Sequence, residues 1–131
     1  MGFILFARNC DTPEQIRALV ASLRATVGRE NAPVLIDQEG GRVQRLGPPH
    51  WPVYPAGAVF SALYDHEPEA GLEAARLSAR LIAADLGDLG INVDCLPLAD
   101  VPVEGADAVI GDRAYGTAPG KVAAIARAVT Q

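Results

Sequence analysis

The nine residues from Asp37 to Arg45 combine two carboxylates, two adjacent glycines and two arginines. They follow the apolar run Val34-Leu35-Ile36, which is typical of a short buried strand. Asp37 and Glu39 lie two positions apart, so they share one face if the strand continues. Such a pair suits acid/base chemistry. From its spacing, however, it would more often bind ligand hydroxyls or form ion pairs with Arg42 and Arg45.

Two other features are candidate ligand contacts. The pair Gly40-Gly41 permits the positive φ of a sharp turn. It indicates a phosphate loop only weakly, because no Gly-x-x-x-x-Gly-Lys pattern follows. Arg113 has Asp112 before it and glycines on either side, so it belongs either to a structured binding loop or to a plain surface salt bridge.

The composition of the 131 residues is that of one soluble globular unit, 50% hydrophobic and 21% charged. The net charge of −5 argues against a nucleic-acid partner, because phosphate binding needs a basic surface. No apolar run reaches the roughly 20 residues that span a bilayer, and no basic cluster suits a membrane surface. We therefore predict neither a nucleic acid nor a membrane as partner.

Cysteine and histidine usage gives no sign of a metal or redox site. Cys10 and Cys95 lie at no metal-binding or redox spacing, and His50 and His66 have no Cys or carboxylate at ligand spacing. We predict two reduced thiols, two surface histidines, no metal and no cofactor. Together with the lack of a signal-peptide pattern at the N-terminus, the reduced thiols predict a cytoplasmic location.

The hydrophobic pattern predicts strands that alternate with helices. We expect strands at 2–7, 34–36 and 91–98, and helices at 13–27, 68–89 and from 119 onward, with a proline-rich irregular connection at 47–57. Thr12 is the expected N-cap of the first helix, with Pro13 at its first position, Gln15 closing a capping box and Gly28 ending it. Thr117 and Pro119 are expected to open the last helix.

This alternation predicts an α/β fold with a parallel sheet and right-handed crossovers. Ligands bind at the carboxyl ends of the strands in such folds. The polar segments 8–9, 37–45 and 97–116 follow the three strands, so we expect them to converge on one small molecule.

Three segments of the sequence resemble glycoside hydrolase family 3. They are Gly2-Phe3-Ile4-Leu5-Phe6-Ala7-Arg8-Asn9, Asp37-Gln38-Glu39-Gly40-Gly41-Arg42-Val43-Gln44-Arg45 and Val109-Ile110-Gly111-Asp112-Arg113-Ala114-Tyr115. The nine-residue motif is highly specific, the order of the segments is that of the family, and the resemblance covers essentially the whole chain. Within the family, the segments look like those of bacterial β-N-acetylhexosaminidases that act in peptidoglycan recycling.

The resemblance implies a (β/α)₈ barrel that removes terminal β-linked N-acetylglucosamine from a carbohydrate substrate, a muropeptide derived from the cell wall. The mechanism implied is retaining, through a glycosyl-enzyme on an aspartate. By motif position, Asp37, Arg45 and Arg113 would bind hydroxyls of that sugar. Glu39 and Arg42 would only shape the loop.

Other family signatures are expected outside these residues. The sugar-binding Lys-His-Phe-Pro-Gly-His-Gly strand end, with its acid/base histidine, should follow Gln131, and the nucleophilic aspartate should come later still. We therefore assign no catalytic residue, and we expect residues 1–131 to be an incomplete N-terminal domain, a partial TIM barrel of about three βα units. Open barrel edges would then favour self-association of this piece.

Two alternatives remain open at this level. A non-catalytic sugar-binding or assembly module would keep the hydroxyl-binding face without turnover. A family 3 N-acetylglucosaminide phosphorylase would use phosphate in place of water. The products of the reaction, free sugar or sugar 1-phosphate, distinguish the hydrolase from the phosphorylase.

Overall fold

The computed structural model describes residues 1–105 and 107–131, which contain both strands and helices. The strands are β1 (Phe3–Leu5), β2 (Val34–Ile36), β3 (Gln38–Gly40), β4 (Val43–Gln44) and β5 (Val93–Asp94). The α-helices are α1 (Pro13–Val27), α2 (Gly57–His66), α3 (Pro68–Asp88) and α4 (Pro119–Val129). Short 3₁₀ turns occupy Ala7–Asn9 and Gly111–Arg113.

The central sheet is parallel, as predicted, with strand order β1-β2-β5. Ile36 at the end of β2 pairs with Leu5 on one side and with Asp94 on the other. The segments that follow the three strands therefore start at the same edge of the sheet. The α/β class is confirmed.

One face of the sheet packs against α1 and α3. Leu5, Val34 and Ile36 form the main core with Ile16 of α1 and Ile82 of α3. Each of these is an alternate position on its strand or lies on the apolar stripe of its helix, as the two periodicities require.

In the described residues, the opposite face of the sheet carries exposed apolar side chains. Ile4 is 45% exposed and Val93 is 37% exposed. Both share a face with Leu35, which pairs with each of them in the register.

The predicted start of α1 is correct except in one detail. The Thr12 side chain accepts a hydrogen bond from the Gln15 backbone N–H at 3.2 Å, as an N-cap should. The Gln15 side chain reaches one residue further back, and accepts from the Asp11 N–H at 3.1 Å. Gly28 ends the helix in the left-handed conformation, with φ of 61°.

Other boundaries differ from the predicted ones. The third strand was expected at 91–98, but only Val93 and Asp94 pair, because the partner strand β2 ends at Ile36, opposite Asp94. The first strand is likewise shorter than 2–7. The prediction for α3 agrees to within one residue. For α4, Ala118 and not Thr117 is the N-cap residue.

Two elements were not predicted: the β3–β4 hairpin and helix α2. Helix α2 starts at Gly57 directly after the proline-rich segment, and its N-cap residue Ala56 makes no side-chain capping hydrogen bond. No local pattern therefore indicates where it begins. Its Phe60 packs in a second core cluster with Tyr115 and with Ile125 of α4.

Helices long and apolar enough to cross a membrane are absent from the described part of the chain. Cys10 and Cys95 are free thiols, and both predicted surface histidines, His50 and His66, are exposed.

Candidate functional site

The Asp37–Arg45 segment forms the β3–β4 hairpin at the end of β2. Gly40 and Gly41 make its turn, with φ of 90° and 57°. A Cβ on Gly40 would lie 2.3 Å from the Pro55 carbonyl oxygen, and one on Gly41 would lie 2.6 Å from the Ala56 Cβ. The glycine pair thus lets the turn pack directly on the 54–56 backbone, and this contact accounts for both glycines without a phosphate ligand.

Asp37 and Arg45 face each other across the hairpin. The Arg45 Nη2 donates to the Asp37 Oδ2 at 2.7 Å, and both side chains are about one-quarter exposed. This hydrogen bond holds the pKa of Asp37 below its usual range against the opposing effect of burial. Asp37 is therefore an ionised acceptor, which agrees with the predicted ion pair.

One donor of Arg45 has no acceptor in the part of the chain that the structure describes. Its Nε is shielded from solvent and makes no hydrogen bond there. A buried donor left without a partner costs about 1–3 kcal/mol, so such groups need an explanation.

Glu39 forms an ion pair with Arg113, from the segment that follows β5. The Arg113 Nε and Nη2 donate to the two Glu39 carboxylate oxygens at 2.8 and 2.7 Å. The Glu39 side chain is 8% exposed and the Arg113 side chain is 19% exposed. Glu39 raises the pKa of Arg113. This is a bidentate, largely buried pair. The surface salt bridge considered for Arg113 is therefore wrong, as is the pairing of Glu39 with Arg42 or Arg45.

Arg42 instead holds the loop that precedes Arg113. Its Nε donates to the Asp112 Oδ1 at 2.9 Å, and its Nη2 donates to the Val109 and Ile110 carbonyl oxygens. Its contacts are with the loop itself, in agreement with the loop-shaping role assigned to it.

Helix α2 packs against the loop that carries Arg113. A Cβ on Gly57, its first residue, would lie 2.1 Å from the Arg113 carbonyl oxygen. The helix start therefore packs directly on the Arg113 backbone. An element that the sequence pattern did not predict thus fixes a residue that the motif identified.

The three predicted site residues share one location. Asp37 interacts electrostatically with both Arg45 and Arg113, and each interaction lowers its pKa. In the third expected segment, Arg8 stacks over the Phe6 ring at 4.7 Å, and the Asn9 side chain accepts from the Phe6 N–H. Ion pairs therefore join two of the three polar segments, those after β2 and β5, whereas the Asn9 carbonyl oxygen accepts from the Gln15 side chain of α1 at 3.1 Å.

Two polar residues near this group were not identified from the sequence. Gln38 lies between Asp37 and Glu39 in the sequence, and its side chain is buried. Asp94, at the end of β5, has its pKa raised to about 6, mainly by burial and further by Glu39 and Asp37. Burial and the Asp37 carboxylate also raise the pKa of Cys95 to about 11, so that its thiol is neutral at neutral pH. Asp94 lies inside the strand predicted at 91–98, so the sequence did not mark it as a strand-end residue; the observed strand ends there.

The arrangement suits a neutral ligand rich in hydroxyl groups. An ionised carboxylate accepts from hydroxyls and guanidinium groups donate to them, with charge-assisted strength. Across the ranges 1–105 and 107–131, no three His, Cys, Asp or Glu side chains are placed to hold a metal ion.

Comparison with known proteins identifies the family. The model of the glycosyl hydrolase family 3 N-terminal domain matches residues 1–131. The chain belongs to glycoside hydrolase family 3. A β-hexosaminidase of Methylococcus capsulatus is 41% identical over 127 residues, which are 97% of this chain and 36% of that protein. One from Xanthomonas euvesicatoria is 39% identical over an alignment of 132 positions, which covers 99% of the chain and 38% of that protein.

Solved structures of family 3 agree with the fold. NagZ from Neisseria gonorrhoeae superposes with a TM-score of 0.88 at 35% identity, over 98% of this chain and 37% of that one. The same enzyme in complex with N-trifluoroacetyl-D-glucosamine gives a TM-score of 0.89. The family 3 chain described here thus spans a little over one-third of the length of these relatives.

Proposed function

We propose that the protein is a β-N-acetylhexosaminidase that hydrolyses terminal β-linked N-acetylglucosamine with retention of configuration. The observation that carries the proposal is the convergence of Asp37, Arg45 and Arg113 in a family 3 chain. The β-hexosaminidase relatives and the NagZ complex with a glucosamine derivative support this choice of sugar.

In this proposal the chain binds the sugar and does not itself perform the chemical step. Asp37 accepts from one hydroxyl of the N-acetylglucosamine ring, while Arg113 donates to another. Arg45 donates to a ring hydroxyl beside Asp37 through guanidinium N–H groups other than the buried Nε. Because these contacts are fixed by ion pairs before the sugar arrives, little reorganisation is needed when charge develops on the ring. Other parts of the complete protein would supply the acid/base and the nucleophile.

The substrate proposed is a cytoplasmic muropeptide released during peptidoglycan recycling. The resemblance to recycling enzymes and the absence of a disulfide between the two free cysteines support this assignment. The peptide part of such a substrate would contact surfaces other than the hairpin described here.

The test is hydrolysis of chromogenic β-glycosides by the complete gene product that contains this sequence. We expect the N-acetyl-β-glucosaminide to be cleaved much faster than the matching β-glucoside, with release of the β-configured free sugar. Formation of sugar 1-phosphate when phosphate is added would make the protein a phosphorylase. Binding of N-acetylglucosamine without any turnover would favour the sugar-binding module. A complete gene product that shows no binding and no turnover of the glycoside would contradict the proposal.

A further inference from the structure

Gln38 connects the two halves of the hairpin from inside the protein. Its side chain is 1% exposed. The Gln38 Oε1 accepts from the backbone N–H groups of Arg45 and Leu46 at 2.8 and 2.9 Å, and its Nε2 donates to the Leu46 carbonyl oxygen at 2.9 Å. One buried amide thus fixes the backbone from which the Arg45 guanidinium extends.

Asp94 fixes the backbone of Gln38 itself. Its Oδ1 accepts from the Gln38 N–H at 3.0 Å. The neighbouring backbone hydrogen bond between the segments after β2 and β5 runs from the Cys95 N–H to the Ile36 carbonyl oxygen. Beyond it the two chains leave the parallel sheet. The Asp94 side chain therefore takes the place of the ladder acceptor that the departing strand would otherwise have had.

We propose that Gln38 and Asp94 are positioning residues for sugar binding, Asp94 holding the backbone next to Asp37 and Gln38 holding the backbone of Arg45. The inference rests on the proposed function of Asp37 and Arg45. Neither positioning residue need touch the sugar. They act through the distance between a carboxylate and a guanidinium that must both meet the same ring.

The placement of Asp94 also carries a cost that a purely structural residue would avoid. It lies near Asp37 and Glu39, and burial with these two carboxylates raises its pKa. Their partners Arg45 and Arg113 offset part of that repulsion.

A double-mutant cycle in the complete gene product tests the inference. We would measure kcat/KM for a chromogenic N-acetyl-β-glucosaminide with Asp94→Ala, Arg45→Ala and the double variant. If Asp94 acts through the Arg45–Asp37 pair, Asp94→Ala lowers kcat/KM by roughly ten- to hundredfold, as small misplacements do. In the Arg45→Ala background the same change costs less than about threefold.

Two further variants sharpen the result. Asp94→Asn keeps an acceptor oxygen for the Gln38 N–H, so it should stay within about threefold of the unmodified protein. Asp88→Ala removes a carboxylate on α3 that pairs with Arg17, and should change nothing. If Asp94→Ala does not fold, Asp94→Ser serves in the same cycle. The serine side chain is too short to accept from the Gln38 N–H, but its hydroxyl can bind water at this half-buried position.

Each remaining outcome counts against the inference. Equal losses in both backgrounds would show general destabilisation, and a lack of rescue by Asp94→Asn would show that the hydrogen bond is not what matters. Unchanged kcat/KM in Asp94→Ala and Asp94→Ser would overturn the inference while the proposed function stands. An unmodified protein that neither binds nor cleaves the glycoside would overturn both.

Discussion

In the proposed function, Asp37 and Arg113 are the residues expected to contact the sugar most directly. Each is ionised and already held by a partner of opposite charge, Arg45 for the first and Glu39 for the second. Hydrogen bonds from such groups to a bound ring are stronger than neutral ones.

We expect Asp37→Ala or Arg113→Ala to cost about 2–3 kcal/mol of transition-state binding, roughly 30- to 150-fold in kcat/KM. Steady-state kinetics of the complete gene product on the chromogenic substrate would measure this. Arg29→Ala, at the exposed end of α1, is the matched control and should leave the kinetics unchanged. Unmodified kcat/KM in either site variant would remove that residue from the binding site.

The raised pKa of Asp94 makes a prediction about stability and pH. Its pKa rises from 3.8 when unperturbed to about 6 in the folded protein. Between these values the folded state binds more protons than the unfolded state, so stability falls as pH rises through this window. Asp94→Asn removes that loss. Its Tm should therefore exceed the unmodified Tm at pH 7.5, with the difference shrinking toward pH 4.

Calorimetric scans at several pH values would check this. A lower Tm for Asp94→Asn at pH 7.5, or a difference between the two proteins that does not vary with pH, would show that the carboxylate is not held at a cost.

At the scale of the elements, the β3–β4 turn is the most constrained piece. Gly40 has positive φ, and a Cβ there would meet the Pro55 carbonyl oxygen at 2.3 Å. We expect Gly40→Ala to destabilise the protein by more than about 2 kcal/mol, because left-handed strain of roughly 1–2 kcal/mol adds to the clash. The hairpin displacement should also reduce activity.

Gly87→Ala is the matched control for this substitution. Gly87 lies in α3, where an added Cβ would meet no neighbouring atom within 4 Å, so alanine should stabilise the helix by roughly 0.5–1 kcal/mol. Denaturant titration of both variants gives the two free energies of unfolding. Equal midpoints for the Gly40 variant and the unmodified protein would contradict the proposed close contact.

At the scale of the whole molecule, the uncovered face and edges of the sheet decide the behaviour of this chain alone. Apolar side chains at Ile4 and Val93 lie on the face without helices, and β1 and β5 form the two sides of the three-stranded sheet. Open edges and exposed apolar rows favour association between copies.

We therefore expect a polypeptide limited to these 131 residues to self-associate or aggregate. Sedimentation velocity at several concentrations would show this, with the complete gene product as control. A concentration-independent monomer that unfolds cooperatively would contradict the expectation. Replacing Ile4 and Val93 with threonine should lower the association, because it removes apolar area from that face.

What the sequence by itself determined was local or carried by a specific motif. The helices α1 and α3 follow from a 3.6-residue apolar period with Thr12 and Gly28 as end signals of the first, and their hydrogen bonds close within a few residues. Asp37, Arg45 and Arg113 followed from motif resemblance, and the family match bears out the resemblance itself.

What only the tertiary structure decided were the partners of the charged residues. Glu39 binds Arg113 across 74 residues of chain, while Arg42 turns to the neighbouring loop. Sequence spacing favoured pairs within the hairpin, because spacing does not show that the segment after β5 approaches the hairpin in the folded chain. Helix α2 likewise has no local capping signal. Its place is fixed by close packing of Gly57 on Arg113, a contact that exists only once the chain has folded.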